Sequence, residues 1–176
     1  MSIRRLVPAD ASAYRALMLD AYERHPDAFT STVAERVALP LGWWEARLSV
    51  ALQPANLVLG AMHGKQLVVA VGLAFESREK LRHKATLFGM VVLPGFAGAG
   101  LGRQLVVAVL EQASARGGIV QVQLTVTHGN SSAQQLYERC GFVAFGVEPQ
   151  AVAVGSGFVA KVHMMCSLTA AQVQPR

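Results

Sequence analysis

The run Met90-Val91-Val92-Leu93-Pro94-Gly95-Phe96-Ala97-Gly98-Ala99-Gly100-Leu101-Gly102-Arg103 constrains this chain more than any other stretch. An apolar, strand-like segment from Ala85 to Leu93 ends at Pro94, which has no N–H to give to a ladder. Three glycines follow at alternate positions, and a helical pattern begins at once. Residues 101–116 place Leu101, Leu105, Ala108, Val109 and Gln112 along one side and close at Gly117-Gly118. Ile119 to Val126 then alternates in the manner of a strand. Strand, helix, strand in that order is a crossover unit, so its two strands are expected to lie parallel in one sheet.

The other strand-like segments are joined by short turns. Leu57–His63 and Gln66–Phe75 meet at His63-Gly64-Lys65, a hairpin in which Gly64 supplies a positive φ. Further strands are expected at Ile3–Val7, Phe142–Val147 and Phe158–Leu168. The front of the chain is helical. Asp10 is the expected N-cap for a helix carrying Tyr14, Leu17, Met18 and Ala21 on one face, and Pro26 stops it. Thr32 and Glu35 have capping-box spacing; Pro40 then breaks the pattern before Trp44, Leu48, Ala51 and Leu52 share another face. The expectation is an α+β fold: a central mixed, mostly antiparallel sheet of about seven strands flanked by helices, with one parallel pair. No repeat, low-complexity tract or linker divides the 176 residues, so a single domain, 1–176, is expected.

Composition narrows the class. Apolar residues reach 52 % and charged residues only 15 %, yet no run approaches eighteen apolar residues, so no membrane span is expected. The first twenty residues mix Arg4, Arg5, Asp10 and Arg15 and do not resemble a signal peptide. Cys140 and Cys166 are too few for a disulfide framework, which favours a reduced, cytoplasmic setting. Neither cysteine nor any of the five histidines has metal-ligand spacing, and no metal is expected. The net charge of +5 favours an anionic partner. The basic residues are scattered apart from Arg78, Lys80, Arg82, His83 and Lys84, and no basic recognition helix stands out, which argues against nucleic acid.

The glycine turn suits a phosphate. The first N–H groups of a helix have no partner within it and carry the positive end of its dipole. Glycines remove the Cβ atoms that would hold a pyrophosphate away, and Arg103 adds a charged donor in the first turn. Taken alone, such glycines equally make a tight strand-to-helix turn. Two common phosphate loops are excluded. Gly102-Arg103-Gln104 is not the GK[ST] of a P-loop, and a GxGxG spacing with Thr125-Val126-Thr127 after the next strand is not a dinucleotide fingerprint.

A second motif follows that strand: Asn130-Ser131-Ser132-Ala133-Gln134-Gln135-Leu136-Tyr137-Glu138-Arg139-Cys140-Gly141-Phe142. Ser131 with Gln134, or Ser132 with Gln135, fits a capping box, and Gly141 fits the C′ position. Ala133, Leu136, Tyr137 and Cys140 share one face, and a helix brings Asn130 and Tyr137 to nearly the same side, roughly 10 Å apart. Together the two motifs resemble the GNAT superfamily of acetyltransferases. Its pattern is a strand ending V-x-P, then [RQ]-x-x-G-x-[GA] opening a helix, then N-x-x-A-x-x-L-Y-x-x-x-G-F after one more strand. Here Val92-Leu93-Pro94 and Ala97-Gly98-Ala99-Gly100-Leu101-Gly102 stand for the first part. Asn130, Ala133, Leu136, Tyr137, Gly141 and Phe142 match the second at every named position. The resemblance is sharp over residues 85–145 and looser elsewhere; the front end, with Pro8-Ala9-Asp10 and His25–Phe29, looks like a small-molecule or peptide subgroup.

The resemblance implies an acetyl transfer from acetyl-CoA to a primary amine by direct attack in a ternary complex. The acceptor would be a small molecule, an amino acid or a peptide N-terminus. The parallel strands would splay, and the main chain of Met90, Val91 and Val92 would hydrogen-bond the pantetheine arm. The amides of Gly98, Ala99, Gly100, Leu101, Gly102 and Arg103 would hold the pyrophosphate, and Asn130 would contact the cofactor. A backbone N–H from the Val91–Val92 strand would stabilise the oxyanion, and Tyr137 would protonate the leaving thiolate; a phenol near ~10 is protonated at neutral pH. The alternative is a non-catalytic acetyl-CoA-binding sensor or regulatory domain.

Departures from the pattern matter. Ala97 stands where the family has Arg or Gln, which removes one contact near the pyrophosphate unless Arg103 or the Arg82–Lys84 cluster compensates. No acid lies between Glu79 and Glu111, and Thr86 stands where some members carry a carboxylate. Glu76, Glu35 or His163 could then serve as base, and none is assigned. The family's acceptor region points to Phe29, Thr30, Trp43 and Trp44, with Gly155–Phe158 opposite. The apolar stretches Ala151–Val154 and Phe158–Val162 would suit a homodimer joined through its last strands, or the core.

Overall fold

The computed structural model describes residues 1–168; residues 169–176, the end of the expected domain, lie outside the described residues. Its strands are β1 (Ile3–Arg5), β2 (Asn56–His63), β3 (Gln66–Phe75), β4 (Lys84–Val92), β5 (Gln121–Thr127), β6 (Val143–Val154) and β7 (Gly157–Ser167). Its helices are α1 (Ala11–Arg24), α2 (Val33–Val37), α3 (Leu41–Arg47), α4 (Leu101–Ala115) and α5 (Ser131–Arg139), with short 3-10 turns at Pro8–Asp10, Pro26–Ala28 and Pro94–Phe96. One sheet runs in the order β1-β2-β3-β4-β5-β7-β6, and every pairing in it is antiparallel except β4 with β5. The mixed α+β sheet with one parallel pair is therefore as the crossover unit requires. Gly64 turns the β2–β3 hairpin at φ +59°.

The sheet is covered on both sides. Leu105, Val106, Val109 and Ala113 of α4 pack on Leu57, Leu59, Val71 and Leu87, and the same core takes in Tyr137 and Phe142 from the far side of the crossover. On the other face, Tyr14, Leu17, Met18 and Ala21 of α1 join Trp44, Leu48, Val58, Leu67, Ala70 and Val91. Strands β2 and β3 carry apolar side chains on both faces because both faces are covered. Burying a side chain such as Leu105 or Leu17 contributes roughly 1.5–3 kcal/mol. Among the described residues no helix is long and apolar enough to cross a membrane.

The sheet opens between β4 and β5. The two strands pair only at Lys84 with Gln121, Ala85 with Val122 and Thr86 with Gln123. The β3–β4 register explains the parting. Gly72 lies opposite Phe88 and Ala70 opposite Val91, so Gly89 and Met90 together face Val71. That is a β-bulge, made possible by Gly89 at φ +59°, and a bulge bends its strand and re-aims the residues beyond it. Phe88 is seated flat on Gly72, where an added Cβ would come within 2.3 Å of its ring.

Several local expectations need correcting. Asp10 does not cap α1 with its side chain; it accepts from the Val7 N–H at 2.8 Å and pairs with Arg4, so it locks the preceding 3-10 turn. The helix with Trp44 and Leu48 ends at Arg47, and Ala51 and Leu52 are exposed in the loop. On α4, Gln112 faces solvent, and Val106 and Ala113 fill the core in its place. α5 is capped by Asn130 rather than by a serine, its Oδ1 accepting from the Ala133 N–H at 3.3 Å. The Thr32–Glu35 capping box forms as expected.

Candidate active site

The β4–β5 opening continues into three adjoining hollows. The first, of about 730 Å³, runs along the outer half of β4 past Met90, Val91 and Val92 and reaches Asn130, Ser132 and Leu136 of the α5 segment. The second, of about 290 Å³, lies in the splay itself, with Gly89, Leu124, Thr125, Tyr137 and Lys161 in its wall. The third, of about 310 Å³, is enclosed by α1, α2, α3 and the start of β4. Neighbouring hollows share walls: Met90, Thr127, Asn130, Ala133 and Leu136 line the first two, and Thr30, Thr86, Phe88 and Gly89 line the last two. Phe29 borders all three. The three hollows thus adjoin in a row along the β4–β5 opening, a passage divided only by residues they share.

The loop that roofs this passage is held in place. The 3-10 turn at Pro26–Ala28 follows α1, and the Thr127 hydroxyl at the end of β5 donates to the Asp27 carbonyl at 2.7 Å. Phe29 packs edge-on against Tyr22 at 4.9 Å. These contacts place Phe29 and Thr30 beside the splay, where the sequence reading expected acceptor residues. Met90, Val91 and Val92 offer main-chain groups on the side of β4 that β5 has left. A strand edge of this kind pairs with any extended chain of amides laid along it.

Tyr137 is 7 % exposed and stands in the middle hollow. Burial, with the nearby Cys140, pushes its hydroxyl up to about 12, so it is a phenol at every physiological pH. Cys140 is itself pushed up by burial, partly countered by Arg103, and stays a thiol rather than a nucleophile. Asn130 uses its side-chain oxygen to cap α5 while bordering the first two hollows, so its amide hydrogens remain available to a ligand.

The glycine turn forms outside the passage, on the surface beside it. Gly98 and Gly100 hold φ values of +80° and +76°, and no side chain caps α4, so the amides of Leu101, Gly102 and Arg103 carry no side-chain acceptor. Gly98, Ala99, Gly100 and Arg103 are exposed. Gly102 has another task. An added Cβ there would come within 3.2 Å of Leu136 and 3.3 Å of Met90, both in the wall of the first hollow, so its bare backbone brings α4 against that wall.

The candidate bases lie elsewhere. Glu76 bonds to Arg78, which first of all its neighbours holds the carboxyl down to about 2. Glu35 is tied into its capping box, and His163 meets Glu148 at 3.0 Å. None of the three borders the passage. The Arg82–Lys84 cluster sits at the start of β4, a strand's length of roughly 30 Å from the glycine turn, and does not compensate for Ala97. Phe158 is exposed and does not line the passage, although its neighbour Val159 borders the first hollow, whereas both tryptophans border the third.

Two site features escaped the sequence reading. Lys161 is only 5 % exposed and shares the middle hollow with Tyr137; burial lowers its ammonium's pKa, with Glu148 acting the other way. Nothing in its local sequence marks it. Gly89 could have been found, since a glycine inside a strand pattern signals a bulge.

Comparison with known proteins agrees with this geometry. The model of the acetyltransferase (GNAT) family matches residues 13–142, which include the glycine turn, the bulged strand and the Asn130–Phe142 segment. A [ribosomal protein bS18]-alanine N-acetyltransferase of Haemophilus ducreyi is 39 % identical over 70 residues, covering 40 % of this chain and 48 % of that protein. The chain's matches span about half the length, or less, of the curated relatives. An acetyltransferase of the GNAT family from Streptococcus pneumoniae is 25 % identical with a TM-score of 0.82, covering 94 % of this chain and 98 % of its own. A putative acetyltransferase from Salmonella typhimurium, solved with its cofactor acetyl-CoA, shares the fold at 21 % identity and a TM-score of 0.78, covering 99 % and 97 %. A strand bulged open at Gly89, a bare helix N-terminus beside it and a buried phenol within the gap accompany a family match over most of its length: the chain belongs to the acetyltransferase (GNAT) family.

Proposed function

We propose that this protein transfers the acetyl group of acetyl-CoA to a primary amine, the two substrates meeting in the β4–β5 gap. The observation that carries the reading is the row of adjoining hollows from the outer half of β4, past Tyr137, to the pocket under α1–α3, each sharing wall residues with the next. Acetyl-CoA supplies an activated thioester. The first hollow is long and open enough for its pantetheine arm, and the unpaired edge at Met90–Val92 provides the amides and carbonyls to hold that arm extended. The N–H groups from Gly98 to Arg103 sit at a helix N-terminus beside this wall and suit the pyrophosphate. Asn130 turns its remaining donors toward the arm.

At the reacting end, a β4 amide beyond the bulge polarises the acetyl carbonyl. The amine enters from the third hollow, bordered by Phe29 and Thr30. Tyr137, held protonated by its burial, gives its proton to the departing sulfur. Lys161 places a positive charge in the same hollow and favours negative charge building on that sulfur. With no carboxylate lining the second or third hollow, and only Asp27 in the first, the amine loses its proton to water or arrives neutral.

The test is Tyr137→Phe. Thiol release from acetyl-CoA with a broad amine panel should fall about 10²- to 10⁴-fold in kcat while acetyl-CoA still binds by calorimetry. A protein that only senses acetyl-CoA would bind it and release no thiol in either form. We further infer one domain over residues 1–176, a cytoplasmic setting consistent with its free cysteines Cys140 and Cys166, and a homodimer. What supports the dimer is edge strand β6, where Val143, Phe145 and Val147 are 60, 54 and 59 % exposed, beside Phe158 at 63 %.

A further inference from the structure

The third hollow has a chemistry of its own. Aromatic rings of Tyr14, Tyr22, Trp43 and Phe88 make much of its wall, yet two guanidinium groups also line it, those of Arg36 and Arg47. They sit over one ring: Arg36 lies 4.7 Å and Arg47 4.3 Å from the centre of Trp43, and Arg47 also lies 5.0 Å from that of Phe88. Stacking of this kind orients a guanidinium and keeps its in-plane N–H groups directed at polar partners around the ring edge.

Among the described residues no acid forms an ion pair with either arginine, and Glu35 feels the charge of Arg36 only at a distance. None of the residues lining the hollow is Asp or Glu. The ion pairs among the described residues are Arg4–Asp10, Arg24–Asp20, Arg78–Glu76 and His163–Glu148, and neither arginine belongs to any of them. Arg36 donates from Nη2 to the Ser31 hydroxyl at 2.7 Å, its Nε is buried with no partner, and two neutral phenols also face the guanidinium groups in the hollow, Tyr22 toward Arg36 and Tyr14 toward Arg47. The nearest acids in sequence, Glu35 and Glu45, are exposed, and Glu35 is spent on its cap. Two like charges, half-buried on one ring without a counter-ion, repel each other and are poorly solvated. An anion that reaches both guanidinium groups relieves both penalties at once.

We propose that Arg36 and Arg47 form an anion clamp for the acceptor, and that the acceptor is a free amino acid or a similar small zwitterion with an apolar side chain. Its carboxylate lies between the two guanidinium groups, its side chain packs on the aromatic wall, and its amine points through the Phe29–Thr30–Gly89 boundary into the splay. The placement as acceptor rests on the acetyl-transfer reading above; the anion site itself does not. A hollow of about 310 Å³ is at the small end for a ligand site and suits a free amino acid. A peptide N-terminus would present an uncharged amide where the clamp requires an anion, and a polyamine would meet two like charges.

The experiment uses matched ligands on the full chain. Binding is read first, without acetyl-CoA, by tryptophan fluorescence and calorimetry with 3-phenylpropionate against 3-phenylpropionamide, since Trp43 and Trp44 border the hollow. The acid is expected to bind between about ten- and a hundredfold tighter than the amide, the range for a hydrogen bond to a charged group, and Arg47→Gln and Arg36→Gln should each erode that preference. Turnover is read second, with phenylalanine against phenylalaninamide and phenethylamine; the free acid should lead in kcat/KM by a similar factor, through KM. Equal or weaker binding of the acid by wild type would overturn the clamp whether or not either variant folds. Preferential binding of the acid without any thiol release would leave the clamp standing and remove the transferase reading instead. Turnover that favours the amide or the bare amine would overturn the acceptor class.

Discussion

At the residue scale, the two ionisable side chains in the splay are tuned in opposite senses by the same cause. Burial raises the Tyr137 hydroxyl to about 12 and lowers the Lys161 ammonium, since each is pushed toward its neutral form. A proton donor with that value is spent only as pH rises through about 12. The kcat profile should therefore show no alkaline loss from Tyr137 up to pH 10, and a limb near the ordinary phenol value that disappears in Tyr137→Phe would contradict this. Lys161 carries a different signature. Its folded value lies below the ordinary lysine value, so the unfolded chain binds the proton more tightly and protonation favours unfolding. Its contribution to stability is thus least favourable at neutral and acid pH and improves as pH rises toward ~10.4. Lys161→Met should stabilise the protein at pH 7 by about 1 kcal/mol, seen as a higher Tm, while lowering turnover. A lower Tm would mean that the ammonium has a counter-ion.

At the element scale, the bulge in β4 joins fold to function. Gly89 lets two residues face one on β3, and the strand beyond it leaves β5 and turns its edge to the first hollow. An alanine there must hold φ near +59°, which costs roughly 1–2 kcal/mol, and its Cβ would come within 3.5 Å of Met18. Gly89→Ala should lower stability to chemical denaturation by that amount and reduce kcat/KM by more than the stability loss explains. Unchanged kinetics in a folded Gly89→Ala protein would show that the bulge serves only packing. The glycines after β4 divide the work differently: Gly98 and Gly100 supply backbone shape, whereas Gly102 supplies closeness between α4, α5 and Met90.

For the whole molecule, the sheet has two unlike ends. β1 is short and pairs through its whole length with β2, but β6 is a long edge strand exposed from Val143 to Gln150. Pro149 and the bulge between Glu148 and Val152 interrupt it, devices that limit open-ended strand addition without covering the apolar side chains. Of the stretches foreseen for an interface, Ala151–Val154 and Phe158–Val162, Phe158 is exposed whereas Val162 belongs to the core; the exposed Val143, Phe145 and Val147 were not foreseen. Phe145→Glu should turn a dimer into a monomer in sedimentation or light scattering; a wild type that is monomeric at all accessible concentrations would end the dimer proposal.

Local pattern was enough for most elements. Periodicity located the strands and long helices, Thr32 with Glu35 announced a cap, and the order strand-glycines-helix-strand required a parallel pair in an otherwise hairpin-joined sheet. Spacing also put Tyr137 on the inward face of the helix in the Asn130–Phe142 segment, although a catalytic role for it came only from the resemblance to the acetyltransferase family. These features are legible because each depends on residues a few positions apart, where backbone geometry ties sequence spacing to direction in space. The errors were at contested caps and helix ends. Asp10 had Arg4 and the Val7 N–H to satisfy, and Asn130 outcompeted two serines for α5. What chain folding alone decided is the meeting of distant residues. Lys161 reaches Tyr137 because β7 pairs with β5, and Arg36 and Arg47 converge on Trp43 because α2 and α3 fold over the same face of the sheet as α1. Charge and burial at those points are properties of what surrounds a side chain, and neighbours brought together from remote segments leave no periodic trace along the chain.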